Sequence, residues 1–109
     1  MNFGDIMFHN IEYDQNELDL LCQKWKVKQL SFFGSVIRED FNSKCDIDIL
    51  IEFQPDAIIT LSKFERIRMD FERFFNRKVD LVSKRAVINS RNAVRRNSVL
   101  SNFRVVYGA

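Results

Sequence analysis

Apolar residues recur along this chain with two periods, one typical of helices and one typical of strands. The first helical stretch covers residues 16–26, and the second begins at the capping-box spacing Ser62-x-x-Glu65 and ends at Asn76. Apolar positions in both stretches are three or four residues apart, so each helix has one face that can enter a core. These positions are Leu18, Leu21, Cys22 and Trp25 in the first helix and Leu61, Phe64, Ile67, Phe71 and Phe74 in the second.

Short apolar runs between the helices predict three strands. They cover residues 27–33, 46–53 and 78–83, and the second, rich in β-branched side chains, is bounded by Gln54-Pro55-Asp56. The remaining segments are predicted as a short helix over 35–41, helices over 85–96 and 97–103, and an apolar tail over 105–107.

The order of these elements predicts an α/β or α+β fold, with one small mixed β-sheet flanked by helices. Residues 1–14 alternate only weakly and are predicted to form a loose arm that includes, at most, a short strand. Residues 15–109 then form a single domain, which is the size that 109 residues allow.

Composition narrows the class of protein. With 46% hydrophobic and 29% charged residues, the chain is predicted to be globular. No apolar run approaches the roughly 20 residues that span a bilayer, and no basic-then-apolar leader is present, so we expect a cytoplasmic protein without a membrane partner. Cys22 and Cys45 match no zinc or redox spacing and are expected to be reduced thiols. His9 is the only histidine, which excludes a histidine-based triad.

Charge is distributed unevenly along the chain. Residues 1–20 contain five acids and no Lys or Arg, whereas residues 78–104 contain seven Lys and Arg against Asp80 alone. The basic segment either attracts phosphate or an acidic partner, or is a solvated helix face, and both interpretations stay open. Arg91 and Arg95 are spaced to share one helix face. Direct RNA binding is disfavoured, because the phenylalanines lie at core spacing and are not free to stack on bases.

Two carboxylates open the strand over 46–53. Side chains alternate along a strand, so Asp46 and Asp48 point the same way, about 7 Å apart, while the isoleucines between and after them enter the core. Asp80 adds a third carboxylate on a later strand. Mg²⁺ prefers such oxygen ligands and is commonly held by carboxylates together with substrate phosphates. The alternative is that Asp46 and Asp48 form salt bridges at a strand start and that Asp80 is an exposed edge residue.

A glycine-serine turn precedes these carboxylates. Gly34 tolerates a positive φ and lets backbone amides approach a phosphate closely, and the Ser35 hydroxyl can donate to a phosphate oxygen. Glycine also ends many strands and serine begins many helices for purely structural reasons. The turn gains specificity only from its spacing to the carboxylates.

Taken together, Gly34-Ser35-x10-Asp46-x-Asp48 with Asp80 on a later strand resembles the signature of the polymerase-β-like nucleotidyltransferase superfamily. The resemblance covers roughly residues 15–107 and is closest to the minimal nucleotidyltransferase (MNT) branch. It implies the fold of that superfamily. It also implies that all three aspartates bind two Mg²⁺ ions and carry catalysis, with Asp80 helping to deprotonate the acceptor.

The same resemblance implies a substrate and a partner. Members of this branch are typically antitoxins encoded beside a HEPN-domain ribonuclease toxin, and they transfer AMP from ATP to a tyrosine of that toxin within a hetero-oligomer. Gly34 and Ser35 would hold the ATP triphosphate. Relatives often follow Gly-Ser with Arg-Ala-Arg-Gly, whereas this chain has Val36-Ile37-Arg38-Glu39, so Arg38 is the basic residue left to contact the nucleotide.

Two other functions remain as alternatives. The chain could be a non-catalytic binding module that blocks its toxin by complex formation alone. It could also be an adenylyltransferase acting on a small-molecule hydroxyl, although 109 residues leave little room for a separate substrate-binding domain.

Overall fold

The computed structural model describes residues 5–8, 11–34, 46–100 and 103–108. Within these ranges ten elements follow one another along the chain, and their order confirms the predicted mixed α+β class. They are β1 (Asp5–Phe8), β2 (Ile11–Asp14), α1 (Gln15–Lys24), β3 (Val27–Phe33), β4 (Ile47–Phe53), α2 (Leu61–Phe75), β5 (Val79–Ser83), α3 (Lys84–Ile88), α4 (Ala93–Leu100) and β6 (Phe103–Tyr107). No helix in these ranges is long and apolar enough to cross a membrane.

Four strands form the central mixed sheet, in the order β5-β4-β3-β6. β4 and β5 are parallel, whereas β3 is antiparallel to both β4 and β6. α2 makes the connection between the parallel pair, which is the kind of crossover that parallel strands require. β1 and β2 form a separate antiparallel pair.

The main core lies on the sheet face covered by α1, α2 and β2. Ile11 and Tyr13 of β2 are buried in this core, so the short strand expected within residues 1–14 packs against the rest of the domain at these two positions. Their two-residue spacing is the strand period, but four residues were too few to separate a strand from weak alternation. The other buried members are Leu18, Cys22, Val27, Leu30, Phe32, Ile47, Ile49, Ile51, Ile67, Phe71, Phe75, Val79 and Leu81.

A second, smaller core covers part of the opposite sheet face. It joins Phe33 and Leu50 of the sheet to Val87 of α3 and Val99 of α4. The sheet is therefore packed on both faces, but α3 and α4 cover only part of the second one. Asp48 and Asp80 lie at one end of that face.

The single helix predicted over 85–96 is wrong, because the helix is interrupted between α3 and α4. Ser90 Oγ accepts a hydrogen bond from the Asn92 amide and Asn92 Oδ1 accepts one from the Arg95 amide, both at 3.1 Å. Such local side-chain bonds offer the backbone an alternative to the helix. Arg91 therefore precedes α4 and does not share a helix face with Arg95. The helix predicted over 97–103 is correct for residues 97–100, which form the second half of α4, but wrong at its end, since β6 begins at Phe103.

The start of α2 differs from the predicted capping box, whereas its end agrees with the prediction. Thr60 Oγ1 accepts a hydrogen bond from the Lys63 amide at 3.1 Å, so Thr60 caps the helix and Ser62 does not. Asn76 ends the helix in the left-handed conformation, with φ of 54°. Leu61, predicted on the core face, is 90% exposed, because it lies in the first turn, beyond the edge of the core.

The largely buried carboxylate of Asp70 joins the end of α1 to α2. Asp70 Oδ2 of α2 accepts hydrogen bonds from Trp25 Nε1 at 2.9 Å and from Lys24 Nζ at 3.4 Å, and Arg73 pairs with the other oxygen. The Asp70 side chain is only 14% exposed. Burial acts to raise the pKa of Asp70, but the hydrogen bonds from Arg73 and Trp25 and the charge of Lys24 outweigh it and lower the pKa below its ordinary value.

This lowered pKa makes stability depend on pH. A carboxyl group whose pKa is lower in the folded than in the unfolded state stabilises the fold above its unfolded pKa of about 3.9, and this contribution is lost as the pH falls. We predict that Asp70→Asn reduces the fall in the free energy of unfolding between about pH 6 and pH 3, measured by urea denaturation. The control is Asp56→Asn. The Asp56 side chain is 72% exposed and forms a surface ion pair with Lys26, which contributes little to stability. The free energy of unfolding of this variant should therefore fall with pH as it does in wild type. Equal slopes for Asp70→Asn and wild type would contradict this account.

Candidate active site

The parallel pairing of β4 and β5 brings two of the predicted aspartates together. Asp48 and Asp80 are register partners on neighbouring strands and therefore lie on the same sheet face. Asp80 is exposed on the edge strand, and Asp48 is partly buried. A backbone hydrogen bond supports this register, since the Ile47 amide donates to the Lys78 carbonyl at 2.9 Å. The Val79 amide donates to Glu72 Oε2, also at 2.9 Å, which ties the start of β5 to α2.

Asp46 lies next to this pair. It immediately precedes β4, two residues before Asp48, and is exposed. All three predicted aspartates thus lie at one end of the parallel strands. The placement is the one that a shared role requires, while the role itself stays a prediction.

Gly34 packs directly against the carboxylate of Asp48. It ends β3 with φ of +68°, and a Cβ atom added at this position would lie 2.3 Å from Asp48 Oδ2. A side chain at residue 34 would therefore both strain the backbone and collide with the carboxylate. The predicted glycine turn therefore lies close against the predicted aspartate strand, with room for a hydrogen atom but not for a side chain at residue 34. Ser35, Arg38 and Cys45 lie outside the described residues.

An apolar wall borders the aspartates. Phe33 is the cross-strand partner of Asp48 on the side opposite Asp80, and it packs with Leu50 in the second core. Sequence reasoning treated Phe33 only as part of a strand. The signal was present in the pair Phe32-Phe33, because two consecutive apolar residues of a strand point to opposite faces and so indicate a sheet packed on both. The wall lowers the local dielectric, which strengthens electrostatic interactions at the carboxylates.

The donor set suits a hard cation, although it is not gathered into a closed site. Aspartate oxygens are the ligands that Mg²⁺ prefers, and those of Asp48 and Asp80 come from neighbouring strands on one face. In the described part of the chain, no three Asp, Glu, His or Cys side chains lie close enough together to hold a metal ion. Like charges repel, and a cation would offset the repulsion that separates the carboxylates. The residues therefore fit a metal that binds together with substrate phosphates.

A cavity of about 730 Å³ lies elsewhere, at the opposite ends of β4 and β5. Its lining includes Ile51, Phe53 and Ser83 but none of the three aspartates. The largest apolar pocket is often the active site. Here the predicted site residues lie at the other ends of β4 and β5, so this cavity is distinct from the candidate active site.

A mixed sheet with two carboxylates in register beside a glycine turn is a geometry that can hold a cation together with a phosphate group. Comparison with known protein families is more specific. Residues 17–106 match the nucleotidyltransferase domain model. This chain therefore belongs to the nucleotidyltransferase domain family, and the predicted family membership is confirmed.

Curated relatives are named as protein adenylyltransferases. One from Methanocaldococcus jannaschii is 33% identical over 70 residues, which is 64% of this chain and 70% of that protein. The protein adenylyltransferase MntA of Thermococcus cleftensis is 33% identical over 64 residues, covering 59% of this chain and 63% of its own.

Solved structures share the fold. A minimal nucleotidyltransferase is 26% identical with a TM-score of 0.62, covering 82% of this chain and 85% of its own. A toxin–antitoxin structure with AMP-PNP has a TM-score of 0.67 at 20% identity, covering 87% and 73% of the two chains. A complex of a tri-AMPylated HEPN toxin of Shewanella oneidensis with its MNT antitoxin has a TM-score of 0.58 at 20% identity, covering 87% and 70%. The predicted nucleotidyltransferase fold is confirmed.

The importance of the close packing of Gly34 against Asp48 can be tested by adding a single methyl group at residue 34. We predict that Gly34→Ala weakens binding of Mg-ATP by about tenfold or more, because the methyl group displaces the Asp48 carboxylate. The matched control is Gly108→Ala, which also has a positive φ, of +80°, and a comparable clash, but with the Lys28 carbonyl instead of a carboxylate. Isothermal titration on the folded fraction separates the two. Equal affinities for both variants would show that strain alone matters.

Proposed function

We propose that this protein transfers AMP from ATP to a tyrosine hydroxyl of a HEPN-domain toxin encoded beside it, and so neutralises the toxin. The observation that carries the proposal is the contact of Gly34 with Asp48, which in turn lies in register with Asp80. Nucleotidyl transfer needs a turn whose backbone can come close to a phosphate, and carboxylates that can hold a metal ion beside it. Gly34 and the pair of Asp48 and Asp80 would supply these two features at one edge of the sheet.

The proposed substrate and the proposed partner are supported by what the relatives are named for. Protein adenylyltransferases are the named relatives in sequence, and toxin–antitoxin complexes, one with an ATP analogue and one with an AMP-modified HEPN toxin, share the fold. A protein with this partner would act in the cytoplasm as part of a hetero-oligomer. A small-molecule acceptor has no comparable support among the relatives.

Asp46, Asp48 and Asp80 would hold the Mg²⁺ ions that accompany ATP. Bound there, the ions would neutralise charge on the triphosphate and on the leaving pyrophosphate. Gly34 supplies a close approach of backbone to phosphate, and Ser35 and Arg38 are the predicted further contacts to the nucleotide. Catalysis would depend chiefly on positioning and on charge compensation beside the apolar wall at Phe33.

Asp80 would serve the acceptor. It lies on the edge strand of the sheet and is exposed, so a tyrosine of a second protein can reach it. Its carboxylate would accept the proton of the tyrosine hydroxyl as that oxygen bonds to the α-phosphorus of ATP and pyrophosphate departs. Asp48, partly buried between Phe33 and Asp80, is better placed to bind the nucleotide than to meet the acceptor.

The test is AMP transfer measured by intact mass of the toxin. We predict that Asp48→Asn and Asp80→Asn each reduce transfer at least about a hundredfold, because each loses the charge that holds the metal or accepts the proton. Asp19→Asn on α1, whose carboxylate accepts a hydrogen bond from Gln15 Nε2, is the matched control and should transfer normally.

A different outcome would select the binding-module alternative. If the wild-type chain adds no AMP, while wild type and Asp48→Asn neutralise the toxin equally well, the enzymatic proposal fails. Neutralisation would then depend on complex formation alone.

A further inference from the structure

An exposed apolar groove lies at the opposite end of the sheet from the aspartates. It is the cavity of about 730 Å³, and we call it the Leu61 groove; its apolar lining includes Ile59, Leu61, Phe64 and Ile88. Leu61 is 90% exposed and Ile88 50% exposed, and neighbouring Ile58 is 81% exposed. Contiguous apolar exposure of this kind is typical of protein–protein interaction sites.

The groove continues the apolar stripe of α2 beyond the core. Ile67 and Phe71 of this stripe are fully buried, Phe64 is partly buried and Leu61 is exposed. The stripe thus keeps its helical spacing for one turn more than the fold itself covers. A partner that covers this last turn would complete a surface that the helix already presents.

The charge at the rim indicates the chemistry of that partner. The charged lining residues are Glu52, Lys84 and Arg85. Glu52 is compensated by Lys84 at 3.7 Å and by Lys28 at 3.9 Å, and Arg85 is exposed. The rim is therefore net positive around an apolar floor, which complements an apolar segment flanked by acidic side chains.

A second copy of this chain is a poor occupant by the same criterion. In a symmetric dimer through this groove the same patch meets itself, so one net positive rim would face another. A different protein with acidic side chains meets no such repulsion. The positive rim thus favours a heterologous partner.

The groove lies so far from the aspartates that only a large substrate can contact both sites. Asp48 and Glu52 are four residues apart on β4, which corresponds to about 13 Å along the strand. A small-molecule acceptor bound at the aspartates would not reach the groove. A protein acceptor can contact both ends of the sheet at once.

We propose that the Leu61 groove docks the HEPN toxin through an apolar segment flanked by acidic residues. This proposal rests on the proposed function and adds to it a second contact, separate from the aspartates, that selects the toxin as substrate. This contact raises the local concentration of the acceptor tyrosine at Asp80 without taking part in the chemistry.

The test compares toxin binding and AMP transfer by Leu61→Glu, Arg85→Glu and the control Leu20→Glu. Leu20 is 66% exposed on α1, away from the groove, so it matches Leu61 in residue type and setting. Glutamate in the first turn of α2 suits the helix dipole, so Leu61→Glu should fold normally. We expect the Kd for the toxin, measured by calorimetry on the full chain, to rise about tenfold or more in both groove variants and to stay at the wild-type value in the control.

Enzyme kinetics provide the second measurement. In the groove variants the KM for the toxin should rise, while kcat at saturating toxin and the affinity for ATP stay unchanged. Unaltered toxin affinity in Leu61→Glu would overturn the docking proposal, as would a change confined to self-association in light scattering of the chain alone. If wild type transfers no AMP but Leu61→Glu still loses toxin binding, the groove stands and the proposed enzymatic function fails. If AMP transfer is intact in wild type and unchanged in Leu61→Glu, the proposed enzymatic function stands and the docking proposal fails.

Discussion

The structure depends on holding two like-charged side chains opposite each other. Asp48 and Asp80 are direct partners across the parallel pair β4–β5, an arrangement that is unfavourable by itself. The opposite face of the same strands offsets it, since Ile47, Ile49 and Leu81 are locked in the main core. A slip by one residue would expose these side chains and bury the carboxylates, so core packing enforces the register that the site requires. Gly34 completes the arrangement by leaving room for the Asp48 carboxylate.

The two ends of this sheet serve different purposes. At one end the aspartates, the glycine turn and the apolar wall at Phe33 form the candidate chemical site. At the other, α2 and α3 frame a groove with an apolar floor and a positive rim. α3 and α4 pack on the face between them through Val87 and Val99. Chemistry and partner selection can thus vary independently, because they use different side chains on one rigid sheet.

Local patterns predicted the central strands and the site better than they predicted the chain ends. The alternation around Asp46 and Asp48 and the apolar spacing of α2 are properties of consecutive residues, so the sequence displays them directly. β6 could not be predicted, because Phe103–Tyr107 becomes a strand only by pairing with β3, some 70 residues away. β2 is a similar case, since burial of Ile11 and Tyr13 depends on α1 and α2. The break before α4 results from side-chain bonds of Ser90 and Asn92 that helical periodicity does not record.

The central claim is that Asp48 and Asp80 hold the metal that accompanies ATP. The most direct measurement is a crystal structure with Mn²⁺ and α,β-methylene-ATP, an analogue that cannot transfer AMP, with the metal located by its anomalous scattering. Our account predicts a peak bonded to carboxylate oxygens of both aspartates and to the triphosphate, with Gly34 beside it. A peak at the Leu61 groove, or nucleotide bound without contact to either aspartate, would contradict it.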